Sequence, residues 1–151
     1  MHQEDSPMAS CTVLTSVPVH AFYQFLIDQT LHEASARTGR DYKEDDLSKG
    51  IKYHYYNTKY KKEDTIHIRP PVKDTQLSST WTQDGRSVRI TWNLKAVDDT
   101  HTEVTNIQEY MFKAEESEKQ DRKFNRIMKR EICQIEKQIH RQQKKGKPRL
   151  L

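Results

Sequence analysis

Glycine is scarce in this chain, with four in 151 residues, and proline numbers five. That excludes collagen-like and Gly-rich low-complexity readings. No Gly-rich phosphate loop, GxSxG elbow or paired Cys ligand set occurs. The two cysteines, Cys11 and Cys133, are too few for a disulfide scaffold. Apolar residues make up 33%, against roughly 45–50% (glycine included) in ordinary domains, so the core is thin or partly polar. No apolar stretch approaches the ~18 residues of a membrane span. Met1 to Ser10 contains Glu4 and Asp5 and lacks the apolar run of a secretory signal. Initiation at Met1 and at Met8 both fit. The class left is one soluble, cytoplasmic domain.

Charge is present in quantity and unevenly placed. Residues 113–151 hold 13 Lys+Arg and 6 Asp+Glu, a net of +7, and residues 1–112 hold 13 and 16, a net of −3. The basic excess therefore lies in one C-terminal segment. No internal repeat or Gly/Ser linker divides the chain. The expected limits are a disordered tail at 1–9, a domain at 10–142 and a disordered basic tail at 143–151.

Thr12 to Val17 reads as a strand, and Pro18 suits a helix start because its missing N–H has no partner to lose there. Val19, Phe22, Tyr23, Leu26, Thr30 and Ala34 recur at helical spacing, and Gly39 fits a left-handed C-cap. A helical turn over Glu44 to Leu47 ends at Gly50. Alternation then predicts strands around Tyr53, Ile68, Trp81, Trp92 and Asn106, the last running from Thr102 to Phe112. A long helix follows from about Glu115 to Gln143, with a narrow stripe of Phe124, Ile127, Met128, Ile132, Ile135 and Ile139.

The registers test one another. A hairpin centred on Asp84-Gly85 pairs Trp81 with Val88, Ser79 with Ile90 and Leu77 with Trp92. A loop centred on Tyr60-Lys61 pairs Tyr55 with Ile66, Tyr53 with Ile68 and His54 with His67. The Val97–His101 loop pairs Leu94 with Val104, Trp92 with Asn106 and Ile90 with Gln108. Apolar faces agree in the first two, and a one-residue slip would scramble both sets, so an antiparallel meander is expected, which the third pairing continues.

This order of strand, long helix, helical turn, meander and long C-terminal helix resembles the helix-grip architecture of the START, Bet v 1 and polyketide-cyclase superfamily. The segments VPVHAFYQFLIDQ (17–29), ARTGRDYKEDDLSKGIKY (36–53) and TEVTNIQEYM (102–111) resemble a family of small bacterial proteins, the domain-of-unknown-function family 3284. The resemblance implies an α+β helix-grip fold, in which a curved antiparallel sheet of about six strands wraps a long C-terminal helix. It also implies a space between them that often holds a ligand. It carries over no established activity. A cyclase-like or hydratase-like enzyme rests on superfamily analogy alone, and a binding role is favoured over catalysis.

The inner sheet face is the first candidate site. Tyr53, Tyr55, Ser79, Trp81, Trp92, Asn106, Gln108 and Tyr110 share it, and aromatic walls with few convergent polar groups are typical of ligand pockets. Asn106 and Gln108 must meet a helix, water or a ligand, because an unpartnered buried amide costs a few kcal/mol. A pocket for a small hydrophobic or amphipathic molecule and a filled polar core are both open at this point. The alternative function is a structural or interaction domain, a homodimer among the options, because Ile107 and Met111 fall on the outer face.

Other constellations are weaker. His54 and His67 lack the further ligands zinc needs. His32-Glu33 lacks a histidine one turn on, since position 36 is Ala36. Arg122, Lys123, Arg126, Lys129, Arg130, Lys137 and Arg141 could meet phosphates, yet Glu131 and Glu136 interrupt them and no aromatics are interleaved for base stacking. A solvated helix face is the favoured reading, without a strong nucleic-acid or membrane signal. Cys133, among basic neighbours, is a candidate redox-sensitive thiol. No metal or cofactor is expected.

Overall fold

The computed structural model describes residues 8–111 and 117–146, with side chains over 8–111 and 123–145. Strand β1 (Met8–Thr15) leads into helix α1 (Val19–Thr38) and a short 3-10 helix (Glu44–Lys49). Strands β2 (Ile51–Asn57), β3 (Lys62–Ile68), β4 (Gln76–Gln83), β5 (Arg86–Ala96) and β6 (Thr102–Tyr110) follow, and then helix α2 (Ser117–Gly146). The six strands form one antiparallel sheet in the order β1-β6-β5-β4-β3-β2. This is the expected α+β class.

Local chemistry sets the element ends. The Pro18 carbonyl accepts the Phe22 N–H at 3.1 Å, opening α1. Gly39, at φ 74°, closes it by donating its N–H to the Ser35 carbonyl, a conformation that costs other residues a Cβ clash. Gly50 ends the 3-10 helix at φ 78° and ψ 154°, a region essentially restricted to glycine.

Two of the three expected registers are observed. Trp81 pairs with Val88, Ser79 with Ile90 and Leu77 with Trp92. Leu94 pairs with Val104, Trp92 with Asn106 and Ile90 with Gln108. The loop of the second pair is tied at Asp98, whose carboxylate accepts the Thr100 N–H at 2.8 Å.

The β2–β3 register differs from expectation by two residues. Tyr53 faces Ile66, Tyr55 faces Asp64 and His54 faces Thr65, so the turn centres on Lys59-Tyr60. The cause is Asn57, whose side-chain oxygen accepts the Lys59 and Tyr60 N–H groups and starts the turn early. Lys61 completes it at φ 55°. A two-residue shift preserves every face, so the inner side of the sheet is as expected. His54 and His67 are no longer opposite; His54 Nδ1 instead lies 2.8 Å from the Thr65 hydroxyl.

The core lies between the inner sheet face and the two helices. Phe22, Tyr23, Leu26, Ile27 and Ala34 of α1 are buried, as are Met128, Ile132, Ile135 and Ile139 of α2. Each buried aliphatic side chain contributes about 1.5–3 kcal/mol. Ile127 departs from the expected stripe: it is 50% exposed, because it stands beside the buried 128–132–135–139 line and not on it. Helix α2 runs along β1. Glu136 anchors it there by accepting the Ser16 N–H at 2.6 Å and the Ser16 hydroxyl at 3.1 Å.

β1 begins at Met8, and α2 takes in Lys144 and Lys145, where cations favour the negative end of the helix dipole. The remaining tail residues, 1–7 and 147–151, and Phe112 lie outside the described residues.

Candidate functional site

Alternation along the strands sends every second side chain inward, and the inner face meets two helices that do not close fully over it. The result is a cavity of about 240 Å³. Its floor is Ile68, Leu77, Ser79, Ile90, Trp92, Asn106 and Gln108 from β3 to β6. Leu26, Gln29, Thr30 and Glu33 of α1 form one wall, and Met128 and Glu131 of α2 the other. The volume lies below the ~300 Å³ at which ordinary ligand pockets begin, so it suits a molecule smaller than a drug.

Of the candidate residues, Ser79, Trp92, Asn106 and Gln108 are brought together in this cavity. Tyr53, Tyr55, Trp81 and Tyr110 are not among its lining residues. Tyr53 is buried and its hydroxyl accepts from Arg37 Nη1 at 3.1 Å. The Arg37 guanidinium lies 4.3 Å from the centre of the Tyr55 ring, a cation–π contact. Tyr110 pairs with Val88 at the far end of β6.

Trp81 serves a different group. Its indole Nε1 donates to Asp64 Oδ2 at 2.8 Å. Asp64 is fully buried, and it also accepts from Asn57 Nδ2 at 2.8 Å and Gln83 Nε2 at 2.6 Å. Burial pushes the Asp64 carboxyl up, but these bonds, with one from Tyr55, outweigh it and hold its pKa below the usual value. The parity of Ile66 and Ile68 places Asp64 on the inner face and was the available signal.

Asn106 is the polar centre of the cavity floor. It is fully buried. Its Oδ1 accepts a long bond of 3.5 Å from Gln108 Nε2, and its Nδ2 has no partner among the described residues. Such a donor costs roughly 1–3 kcal/mol when left unsatisfied. At the rim, burial raises the pKa of the Glu131 carboxyl, and the Glu33 charge raises it further. The residue as a whole remains exposed.

Leu26, Gln29, Thr30 and Glu33 were not among the candidate pocket residues read from the sequence, although their helical spacing puts them on one face. Met128 and Glu131 stand three apart on α2 and share a face in the same way.

On the outer face Ile107 borders a shallow polar hollow with Arg69, Arg89 and Glu109, and Met111 is exposed. Among the described residues no group of three or more His, Cys, Asp and Glu could hold a metal ion. Among them, too, no helix is long and apolar enough to cross a membrane.

The model of the family described as Domain of unknown function (DUF3284) matches residues 12–130. No curated protein matches the chain. Among solved structures, the fold is similar to that of a START superfamily protein from Mycobacterium smegmatis, with a TM-score of 0.59 at 10% identity over 89% of this chain and 97% of that one. Protein MLL2253 from Mesorhizobium loti gives 0.56 at 13% identity, covering 93% and 99%. DynU16, a protein of the dynemicin biosynthetic locus, gives 0.61 at 9% identity over 89% of this chain. This chain spans 47% of DynU16, about half its length. At such identities the likeness concerns the fold alone, and the fold is START-like, of the helix-grip kind.

Proposed function

Because the chain belongs to the DUF3284 family and carries a START-like fold, we propose that it binds a small amphipathic or aromatic molecule between the sheet and the two helices. The observation that carries this reading is Asn106 Nδ2, a buried donor without a partner among the described residues on the floor of a 240 Å³ cavity. A core evolved only for packing gains by replacing such an amide with an apolar residue. A binding site has a reason to keep it, because the donor orients what enters.

The roles divide by chemistry. Trp92, Ile90, Ile68 and Leu26 supply apolar contact, and Asn106, Gln108 and Ser79 supply polar contact. The carboxyls of Glu33 and Glu131 stand at the opening. The role proposed is that of a carrier or sensor.

Native mass spectrometry of the purified protein tests it, followed by denaturing release of bound material. An extra mass that disappears on unfolding is the expected result. A clean protein mass from several expression backgrounds, with no small molecule restoring an adduct, overturns it.

A further inference from the structure

We propose that the ligand of this cavity is a cation: a small apolar or aromatic body bearing a protonated amine held between Glu33 and Glu131, with a hydrogen-bond acceptor that meets Asn106. The inference rests on the binding role above and adds the ligand's charge.

The first argument is the sign of the lining. Glu33 and Glu131 line the cavity, and among the described residues no Lys, Arg or His does. Neither glutamate forms an ion pair among the described residues. One candidate, Arg37, follows Glu33 by one helical turn and senses its charge. Its guanidinium is nevertheless engaged with the Tyr53 hydroxyl and the Tyr55 ring.

The second argument is the cost of the pair. Glu33 on α1 and Glu131 on α2 are close enough for one charge to disfavour the other. Like charges at a partly desolvated site destabilise each other. A bound ammonium relieves both, and charge-assisted hydrogen bonds to carboxylates are the stronger kind. An anionic ligand would add a third negative charge, and a neutral one would leave the repulsion between the two carboxylates uncompensated.

The third argument is independent of the glutamates. Asn106 is fully buried and offers Nδ2 from the floor beneath them. That donor calls for an acceptor on the ligand, so the molecule is bifunctional. Trp92, beside Asn106 on the sheet, lends an aromatic face to the apolar body or to the cation.

The test uses two shape-matched triplets that differ in charge, each member carrying a hydroxyl acceptor, on the full chain: tyramine, 2-(4-hydroxyphenyl)ethanol and 3-(4-hydroxyphenyl)propionate, then 6-amino-1-hexanol, 1,6-hexanediol and 7-hydroxyheptanoate. Binding is read from NMR shifts of the Trp92 indole N–H and the Asn106 side-chain amide. At least one amine is expected to bind about 10-fold more tightly than its alcohol and carboxylate, equivalent to about 1.4 kcal/mol. Glu33→Gln/Glu131→Gln is expected to erase that advantage, bringing the amine's affinity to that of its alcohol measured on the same variant. The single variants, each expected to lose part of it, provide the same reading if the double variant does not fold.

An amine that binds no better than its alcohol overturns the charge inference and leaves the binding role standing. So does an amine advantage that survives both glutamine substitutions. If no member of either triplet shifts the Trp92 and Asn106 signals while both are visible, the binding role and the charge inference fall together.

Discussion

The Trp81 indole donates to Asp64 across the β3–β4 pair, so an aromatic side chain expected in a ligand wall is instead committed to a buried carboxylate. Three bonds from side-chain N–H donors converge on that one group. They lock the open end of the β2–β3–β4 unit, because Asn57, Asp64, Trp81 and Gln83 come from three successive strands.

Asp64→Ala should therefore cost about 3–5 kcal/mol, since removing the acceptor leaves several buried donors unpaired. The Asp64 pKa is lowered in the folded state. Its stabilisation is thus fully present above the unfolded carboxylate value of ~3.9 and is lost as pH falls through the lower folded value. Urea unfolding from pH 2 to 6 should show a weaker acid dependence in Asp64→Ala than in the parent protein. Equal slopes would mean that Asp64 does not titrate differently on folding.

The α2 stripe makes a contrast of two isoleucines. Ile132 is fully buried and Ile127 is 50% exposed. Ile132→Ala should cost about 2–5 kcal/mol, and Ile127→Ala should stay within about 0.5 kcal/mol. Thermal or urea unfolding of the two variants decides it. A large loss at Ile127 would place a packing partner over that side chain.

Gly50 and Gly39 both have positive φ but differ in surroundings. A Cβ at Gly50 would meet the Ile68 carbonyl oxygen at 3.1 Å, and one at Gly39 would meet nothing within 4 Å. Gly39→Ala should cost about 1 kcal/mol from the left-handed backbone alone. Gly50→Ala should cost more, about 1–3 kcal/mol, because its backbone region is essentially glycine's and the carbonyl must move. Equal losses in equilibrium unfolding would count against the close approach.

Most of the fold was legible because strands report themselves twice, in alternation and in register. The Asp84-Gly85 turn needs two left-handed residues, and Asp84 and Gly85 take φ 51° and 73°, so its centre could be read directly. The β2–β3 turn carried no such dipeptide. Its position depends on a side-chain contact from Asn57, which alternation does not encode. The site was half legible for a related reason. Parity along a strand places Asn106 and Trp92 on the inner face but not where along that face the helices leave space. Glu33 and Glu131 lie far apart in sequence, and only the packing of α1 beside α2 makes them neighbours.

The two thiols should react in a definite order. Cys11 is buried, with its Sγ 3.8 Å from the Asn125 carbonyl, and burial pushes its pKa up. Cys133 is only partly buried. Fewer thiolates mean slower alkylation. Iodoacetamide at pH 8 followed by peptide mass mapping should label Cys133 first and Cys11 only on unfolding. Early labelling of Cys11 would show that the β1–α2 seam opens in the native state.

Asn106→Leu separates a site from a packed core. If the amide is kept for a ligand, its removal improves the fold. The orphan Nδ2 disappears, the weak 3.5 Å bond from Gln108 is the one side-chain bond lost among the described residues, and Gln108, only partly buried, can turn to other partners. The expected gain is about 1–2 kcal/mol in urea unfolding, the usual penalty of an unsatisfied buried donor. The same variant should retain less bound small molecule in native mass spectra, because the added apolar volume narrows a cavity of only 240 Å³. Stability gained together with binding lost is the pattern of a residue kept for function against its own structural interest. A loss of more than about 1 kcal/mol would point the other way: the amide would then be integral to a polar core, bonded through ordered water whose removal is costly.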